Sequence, residues 1–423
     1  MKVLHASAWY PPHHLGGTEV YVAGLASQLR ARGVDVRLVK PWHGAPIADG
    51  AHDGVPVRTY VVGAERTAAQ FAGLAPHAGF ETFETLLREE RPDIYHQHSW
   101  TLGLGAPHLR AAHALGIPTV LTVHTPNVAC LRGTMMRFGR TQCDGRIEVR
   151  RCGACWMEAR GAPRPLAEAL TLTPIGARAS SHVRHKRAGF AQMIASADRI
   201  VAVAAWLRQA LAANGAPAER LVTSRQGIDV ELERALRQGP AGPASGPLRL
   251  GYLGRWHPTK GVDVLIRAVR ALPADAPVRL TIRGLPHGAE EAAYEAAQRR
   301  LAAGDPRIEI LPPVGRADLA LALRTLDALA VPSLWLETGP LVVLEAQAAG
   351  LAVLGSDCGG IAEFIAPGGR DRLFPAGDAA ACTRAIAELA ADVDRLRADR
   401  APRAVRTMAD AADDMMRVYQ DLV

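Results

Sequence analysis

The stretch LRLGYLGRWHPTKGVDVLI (residues 248–266) changes character in its middle. LRLGYLG (248–254) is a short apolar run of strand length. A turn containing Gly254, Arg255, Pro258, Lys260 and Gly261 follows, and VDVLI opens a helix. A strand that turns directly into an amphipathic helix is the repeating step of a parallel sheet covered by helices. The same step recurs on both sides. Towards the C-terminus come VRLTIRG (278–284), RIEIL (307–311), ALAVP (328–332) and LAVLGS (351–356). Towards the N-terminus lie KVLHASA (2–8), VDVRLVK (34–40), DIYHQH (93–98), PTVLTVH (118–124) and RIVAV (199–203). Helical stretches separate them, such as GTEVYVAGLASQLRARG (17–33), which Gly33 stops.

Two such series imply two doubly wound α/β domains. The length of 423 residues supports that count. RQGPAGPASGP (237–247) has the Pro, Gly and Ser content of a linker. The expected division is therefore an N-terminal domain over 1–236 and a C-terminal domain over 246–402. A final helix over 403–423 has no place in a completed second sheet and is expected to pack back on the N-terminal domain. Ligands of open α/β sheets bind beyond the carboxyl ends of the strands, so two such domains would face each other across a cleft.

Composition narrows the function. The chain is 48% apolar and 22% charged, as globular proteins are. No window reads as a membrane span, and the N-terminus does not read as a signal peptide, so a cytoplasmic location is expected. Net charge is +7, yet residues 130–190 alone carry twelve Lys/Arg against four acids. The basic character is local and points to a local anionic partner, such as peripheral contact with the inner face of an anionic membrane.

SLWLETGPLVVLEAQAAG (333–350) raises a question of charge. It would bury well, but it holds Glu337 and Glu345 with no basic residue nearby in sequence. Pro340 and Gly350 bracket a helix over about 340–349. Glu337 then precedes the helix and Glu345 lies a turn and a half inside it. The helix start offers N–H groups suited to a phosphate, and the carboxylates suit paired hydroxyls. Arg255 and Lys260 beyond a strand end can neutralise a diphosphate. In SAWYPPHHLGGTEVY (7–21), Gly16 and Gly17 allow close backbone approach to a ligand. His13, His14, His96 and His98 cluster at strand ends as cleft lining.

Glu337-x7-Glu345, GRWHPTKG (254–261), LGGTE (15–19), His124 in LTVHTP and QGID (226–229) together resemble the family-4 retaining glycosyltransferases, which use nucleotide sugars and have the GT-B fold. The resemblance runs over nearly the whole chain. It implies that Arg255 and Lys260 hold the donor's phosphates, with Gly254 at the same turn. Glu345 would take the ribose hydroxyls and Glu337 the sugar hydroxyls. Backbone from Gly339 through Pro340 to Leu341 would face the diphosphate or the sugar, Gly16 and Gly17 would close over the diphosphate, and His124 would touch the sugar. Arg255, Lys260, Glu337 and His124 are thus the expected catalytic set. Thr338-Gly339-Pro340 stands where the family often has Phe-Gly, and Gln226 where it usually has Asn. The implied reaction is metal-independent transfer with retention to a hydroxyl of a glycan or lipid-linked acceptor, an intermediate of the bacterial envelope. Fixed cations and N–H dipoles would stabilise the departing diphosphate.

Four cysteines lie outside that pattern. Cys130, Cys143, Cys152 and Cys155 are spaced C-x12-C-x8-C-x2-C within an insert at about 125–165. One C-x2-C chelate plus two thiols suits structural zinc, and four thiolates could also hold an iron–sulfur cluster. Cys358 and Cys382 read as small buried residues. Asp392-x-Asp394 resembles a metal-binding Asp-x-Asp, but residues two apart on a helix do not share a face, so it reads as solvated surface. Two other functions fit parts of the chain. One is a nucleotide-sugar epimerase or phosphorylase on the same fold. The other is a nucleic-acid-binding protein acting through the basic cysteine segment; only Phe138, Trp156 and Phe190 could stack on bases there, so nucleic acid is not the expected partner.

Overall fold

A computed structural model describes the chain except for residues 12–15, 45–47, 65–66, 72, 99, 102, 172, 239–241, 243 and 367–368. His13 and His14 lie outside the described residues. The rest forms two units, Met1–Gln226 with Met408–Val423, and Gly227–Thr407. Each unit is built on a largely parallel, Rossmann-like sheet, the two-domain α/β plan expected of a GT-B fold.

The first unit has an eight-stranded sheet in the order Leu221–Thr223, Arg199–Ala202, Thr119–Val123, Ile94–His98, Lys2–Ser7, Asp35–Trp42, Val55–Val61, Gly50–His52. Only the pairing of the last strand is antiparallel. Alternation along the strands divides the core in two. Leu4, Ala6, Tyr95, Leu121 and Val123 bury on one face. Val3, Ile94, Val120 and Val201 bury on the other, under the helices Gly17–Ala31 and Met408–Gln420. Apolar packing on both faces is what a parallel sheet requires. The C-terminal helix belongs to this core through Met408, Ala411, Met415 and Tyr419. Its side chains lie so close to the first helix that a Cβ on Gly24 would stand 2.9 Å from Met408 Cγ.

The second unit has six parallel strands in the order Ile308–Leu311, Val278–Leu285, Leu248–Arg255, Ala328–Val331, Ala352–Ser356, Arg372–Phe374. Asp327, at the start of a central strand, binds Arg249 (2.5 Å) and Arg397 (2.9 Å) and ties that strand to the unit's last helix.

The division of the chain differs from the expected one. The first crossover falls at Gln226–Gly227, so the Pro/Gly/Ser stretch 237–247 lies inside the second unit. The cause is the helix Val230–Gln238, whose Leu232 and Leu236 bury among Leu323, Val343 and Ala346 of that unit. The second crossover follows Thr407, since Arg403 is still bound to Asp371 at 2.6 Å. The two crossovers run side by side: Ile228 N–H donates to the Arg406 carbonyl at 3.0 Å. A Cβ on Gly227 would stand 2.1 Å from the Thr407 carbonyl oxygen, so only glycine fits.

Candidate functional site

In the second unit the predicted residues gather at the carboxyl ends of neighbouring strands. Arg255 ends its strand with a half-exposed side chain, paired with Glu291 in the first turn of the helix Ala289–Ala302. Glu291 also accepts the His287 N–H at 2.7 Å, which fixes its orientation. Gly254 is required by its neighbour, since a Cβ there would stand 2.7 Å from the Tyr252 hydroxyl. That hydroxyl donates to the Arg255 carbonyl at 2.9 Å. Lys260 follows in a short 3-10 turn, Pro258–Lys260. Gly261 after it has φ 66°, and a Cβ would stand 2.0 Å from the Pro332 carbonyl oxygen. The turn is knitted to the next loop by the Leu334 N–H, which donates to the Thr259 carbonyl at 2.7 Å.

That contact brings Lys260 to Glu337. Lys260 Nζ lies 2.6 Å from Glu337 Oε1, and Ser333 Oγ donates to the same oxygen at 2.7 Å. Glu337 is 5% exposed. Its charge is matched by a residue 77 positions away, a pairing no local reading of 333–350 supplies. Lys260 also lies 5.2 Å from the Trp335 ring centroid.

The helix after Glu337 runs Leu341–Ala348 with Pro340 as its N-cap. Pro340 has no N–H, so it sets the backbone and donates nothing. The Val343 N–H turns back to the Pro340 carbonyl at 3.0 Å. Gly339, Leu341 and Val342 thus carry the N–H groups ahead of that first bond. Glu345 is partly buried on this helix, and burial pushes its carboxyl up to about 7, with Arg316 acting weakly in the opposite sense.

Gly359 and Gly360, which the sequence reading passed over, pack against the backbone of the Glu337 loop. The Gly360 N–H donates to the Glu337 carbonyl at 2.6 Å. A Cβ on Gly360 would stand 2.8 Å from that carbonyl oxygen and 2.8 Å from the Gly339 nitrogen. Both contacts are backbone and cannot swing away. Gly360→Ala should push the 337–339 loop outward at a cost of about 1–3 kcal/mol. A melting curve checks this; an unchanged midpoint would mean that the loop has room. The SDCGG sequence at 356–360 carried a signal, a glycine pair beyond a strand end.

In the first unit Gly16 caps the helix Gly17–Ala31 with extended backbone. A Cβ on Gly16 would meet the flexible Glu19 carboxylate, and around Gly17 there is open space. The fold itself thus demands little of this pair.

His124 sits with three other histidines. His5, His96, His98 and His124 share the parity of Val3, Ile94 and Val120 and lie on the sheet face under the two helices. A chain of hydrogen bonds joins Gln226 Nε2 to His124 Nδ1 (3.3 Å), His124 Nε2 to His98 Nδ1 (3.0 Å), and His98 Nε2 to His5 Nδ1 (2.8 Å). With the Gln226 amide as donor, each ring donates to the next. The chain ends at His5 Nε2, which has no hydrogen-bond partner among the described residues. His5, His96 and His98 bring ring nitrogens within 4.8 Å of one another. His96, however, already uses both nitrogens, on Tyr419 (2.6 Å) and Thr122 (2.7 Å), so the three do not converge lone pairs on a metal. Burial pushes His5 and His124 down to about 3, and His96 and His98 are held well below the usual value. His124 is 2% exposed, with both nitrogens engaged by protein.

Asp392 binds Arg372 at 2.6 Å and Arg395 at 2.8 Å, while Asp394 is 93% exposed, so the Asp-x-Asp is surface. Cys358 and Cys382 are buried.

Two family descriptions match the chain. Residues 15–232 match "Glycosyltransferase Family 4", and residues 247–392 match "Glycosyl transferases group 1". The chain is 29% identical over 408 residues to a D-inositol 3-phosphate glycosyltransferase of Nocardia farcinica, spanning 90% of this chain and 78% of the relative. Among solved structures, Anabaena HepE in complex with UDP superposes with a TM-score of 0.64 at 16% identity, covering all of both chains. Sucrose-phosphate synthase from Thermosynechococcus elongatus superposes with a TM-score of 0.67 at 18% identity, covering 100% of this chain and 98% of that one. No described helix is long and apolar enough to cross a membrane.

Proposed function

The chain belongs to glycosyltransferase family 4, and from that premise we propose that it transfers a sugar, with retention and without a catalytic metal, from a nucleotide-sugar donor to a hydroxyl of an anionic acceptor. The observation that carries this reading is the Lys260–Glu337 pair beside the half-exposed Arg255 guanidinium and the start of the helix Leu341–Ala348. Arg255, Lys260 and the N–H groups of Gly339 and Leu341 take the diphosphate and stabilise the charge that builds on it as the sugar leaves. Glu337 orients Lys260 through one carboxylate oxygen and accepts sugar hydroxyls. Glu345 accepts the ribose diol. Because that contact needs the ionised carboxylate, donor binding weakens as the pH falls below about 7. The acceptor hydroxyl attacks on the face being vacated, and a leaving phosphate oxygen takes its proton. His124, buried and doubly bonded, reaches the sugar only if the His98 or Gln226 contact opens.

Residues 130–190, with twelve Lys/Arg against four acids, favour an anionic acceptor. The relative's name contains D-inositol 3-phosphate, a phosphorylated polyol. A lipid-linked envelope intermediate presented at an anionic membrane would meet the same basic surface.

The first test is thermal stability against UDP-, GDP-, dTDP- and ADP-sugars, for the wild type and for Glu345→Ala. A ligand at a hundredfold its dissociation constant adds about 2.7 kcal/mol. A shift with one nucleotide class, lost in the variant, identifies the base and supports the donor site. No shift with any of them sinks it. With the donor in hand, the product's anomeric configuration tests retention, and turnover in EDTA tests metal independence.

A further inference from the structure

The segment between the strand Thr119–Val123 and the helix Pro174–Ala195 has a weak core. Its own apolar cluster is small: Phe138, Ala154, Met157 and Ala167, packed on Ala179 of that helix. Yet its backbone is strained. Met135 and Phe138 have φ of 53° and 52°, and Gly133, Gly139 and Gly145 are also left-handed. Each such non-glycine residue costs about 1–3 kcal/mol and persists only where the surroundings enforce it. A two-stranded hairpin, Met136–Arg137 with Thr141–Gln142, is too short to do so alone.

The four thiols of this segment line a single cavity of about 30 Å³. Cys130 follows a 3-10 turn, Cys143 follows the hairpin, and Cys152 and Cys155 stand three apart on one face of the helix Val149–Glu158. Arg132, Arg137, Arg146 and Arg151 line the same cavity. The Phe138 N–H donates to Cys155 Sγ at 3.3 Å, the kind of contact that orients a metal-bound thiolate. Two other thiols make weak contacts within the segment: Cys143 reaches Asp144 at 3.8 Å, and Cys152 the Arg146 carbonyl at 3.7 Å. None is in a disulfide.

We propose that Cys130, Cys143, Cys152 and Cys155 are the ligands of one tetrahedral, thiophilic divalent ion of the zinc class, which closes this segment. Four thiolates around a divalent ion carry a net charge of about −2; Arg137 and Arg146 of the wall are its counter-charge, while Arg132 and Arg151 are paired with Glu158 and Asp144. Part of the segment's basic excess therefore has an internal partner. A Zn–S distance of about 2.3 Å brings sulfurs to about 3.8 Å of one another. Among the described residues no three of these thiols lie within 4.8 Å of one another. Binding therefore draws the hairpin and the helix together, and each coordinated thiol releases its proton to solvent.

The test uses the full chain, grown with zinc and iron both supplied, and needs neither donor nor acceptor, so it stands or falls apart from the transfer reaction. Metal is measured by mass spectrometry, and zinc release is followed with a chromogenic chelator as the thiols are titrated with a mercurial. The expected result is about one zinc per chain, released as the four thiols react. Protease cleavage within 130–160 should be much faster after release. Cys152→Ser should lose the ion, and Cys358→Ser, in the other unit, should keep it. If cysteine variants do not fold, the titration of the wild type still decides. Iron with sulfide, or no metal at all, overturns the proposal.

Discussion

Lowering the pH from 7.5 to 5.5 should remove about 5 kcal/mol of stability from the Met1–Gln226 unit through one row of histidines alone. The cause is the row of His5, His96, His98 and His124, none more than 2% exposed. Burial holds all four below the ordinary histidine value, His5 and His124 at about 3. Once unfolded, the same residues titrate near 6.5. Below that value the unfolded chain binds protons that the folded chain refuses. The stability is therefore fully present above about 6.5 and is lost as the pH falls. At pH 5.5 each histidine costs about 1.4 kcal/mol. The sum is a large part of what a domain ordinarily has. Urea denaturation at both pH values, followed by a probe in this unit, measures it. A midpoint that does not move would mean the folded chain takes up these protons by breaking the ring-to-ring bonds.

Lys260→Ala should lower kcat/KM by about 10²–10³. It should also destabilise the Gly227–Thr407 unit by about 3 kcal/mol, because Glu337 is 5% exposed and loses the cation at 2.6 Å. The two effects have different origins and can be separated. In the double variant Lys260→Met with Glu337→Gln the charges disappear together. Stability should return to within about 1 kcal/mol of wild type, because replacing both partners of a buried pair costs far less than removing one. Activity should not return, since no cation faces the leaving diphosphate. Recovery of transfer by the double variant would show that the pair only holds the loop. The donor chosen by the melting panel serves as substrate.

Both predictions rest on contacts between segments distant in sequence, and this is where sequence reading stops. Ten strands announced themselves as apolar runs, because a parallel sheet buried on both faces needs no polar alternation. Four strands of the two large sheets did not: Gly50–His52, Val55–Val61, Leu221–Thr223 and Arg372–Phe374. They lie at or next to sheet edges, are short or interrupted by Pro56, and alternate with polar residues because one side meets solvent. The helix Val230–Gln238 straddles the end of the expected first domain, yet it belongs to the second unit. Leu232 and Leu236 need an apolar surface, and the sequence does not say which unit provides it.

By itself the sequence determined the α/β class, the two-unit plan, the helix start at 340–341 and the kinds of group available to bind a nucleotide sugar. These follow from local rules: periodicity, the fixed φ and missing N–H of proline, and the freedom of glycine. Tertiary structure alone decided that Lys260 answers Glu337 and that Glu291 holds Arg255. It also decided that Gly360 fixes the loop between the carboxylates, and that four histidines from three strands form one buried row. The physical reason is common to all of these. A buried charge or ring nitrogen must find its partner in space, and the register of parallel strands, not the spacing of residues along the chain, decides which one it meets.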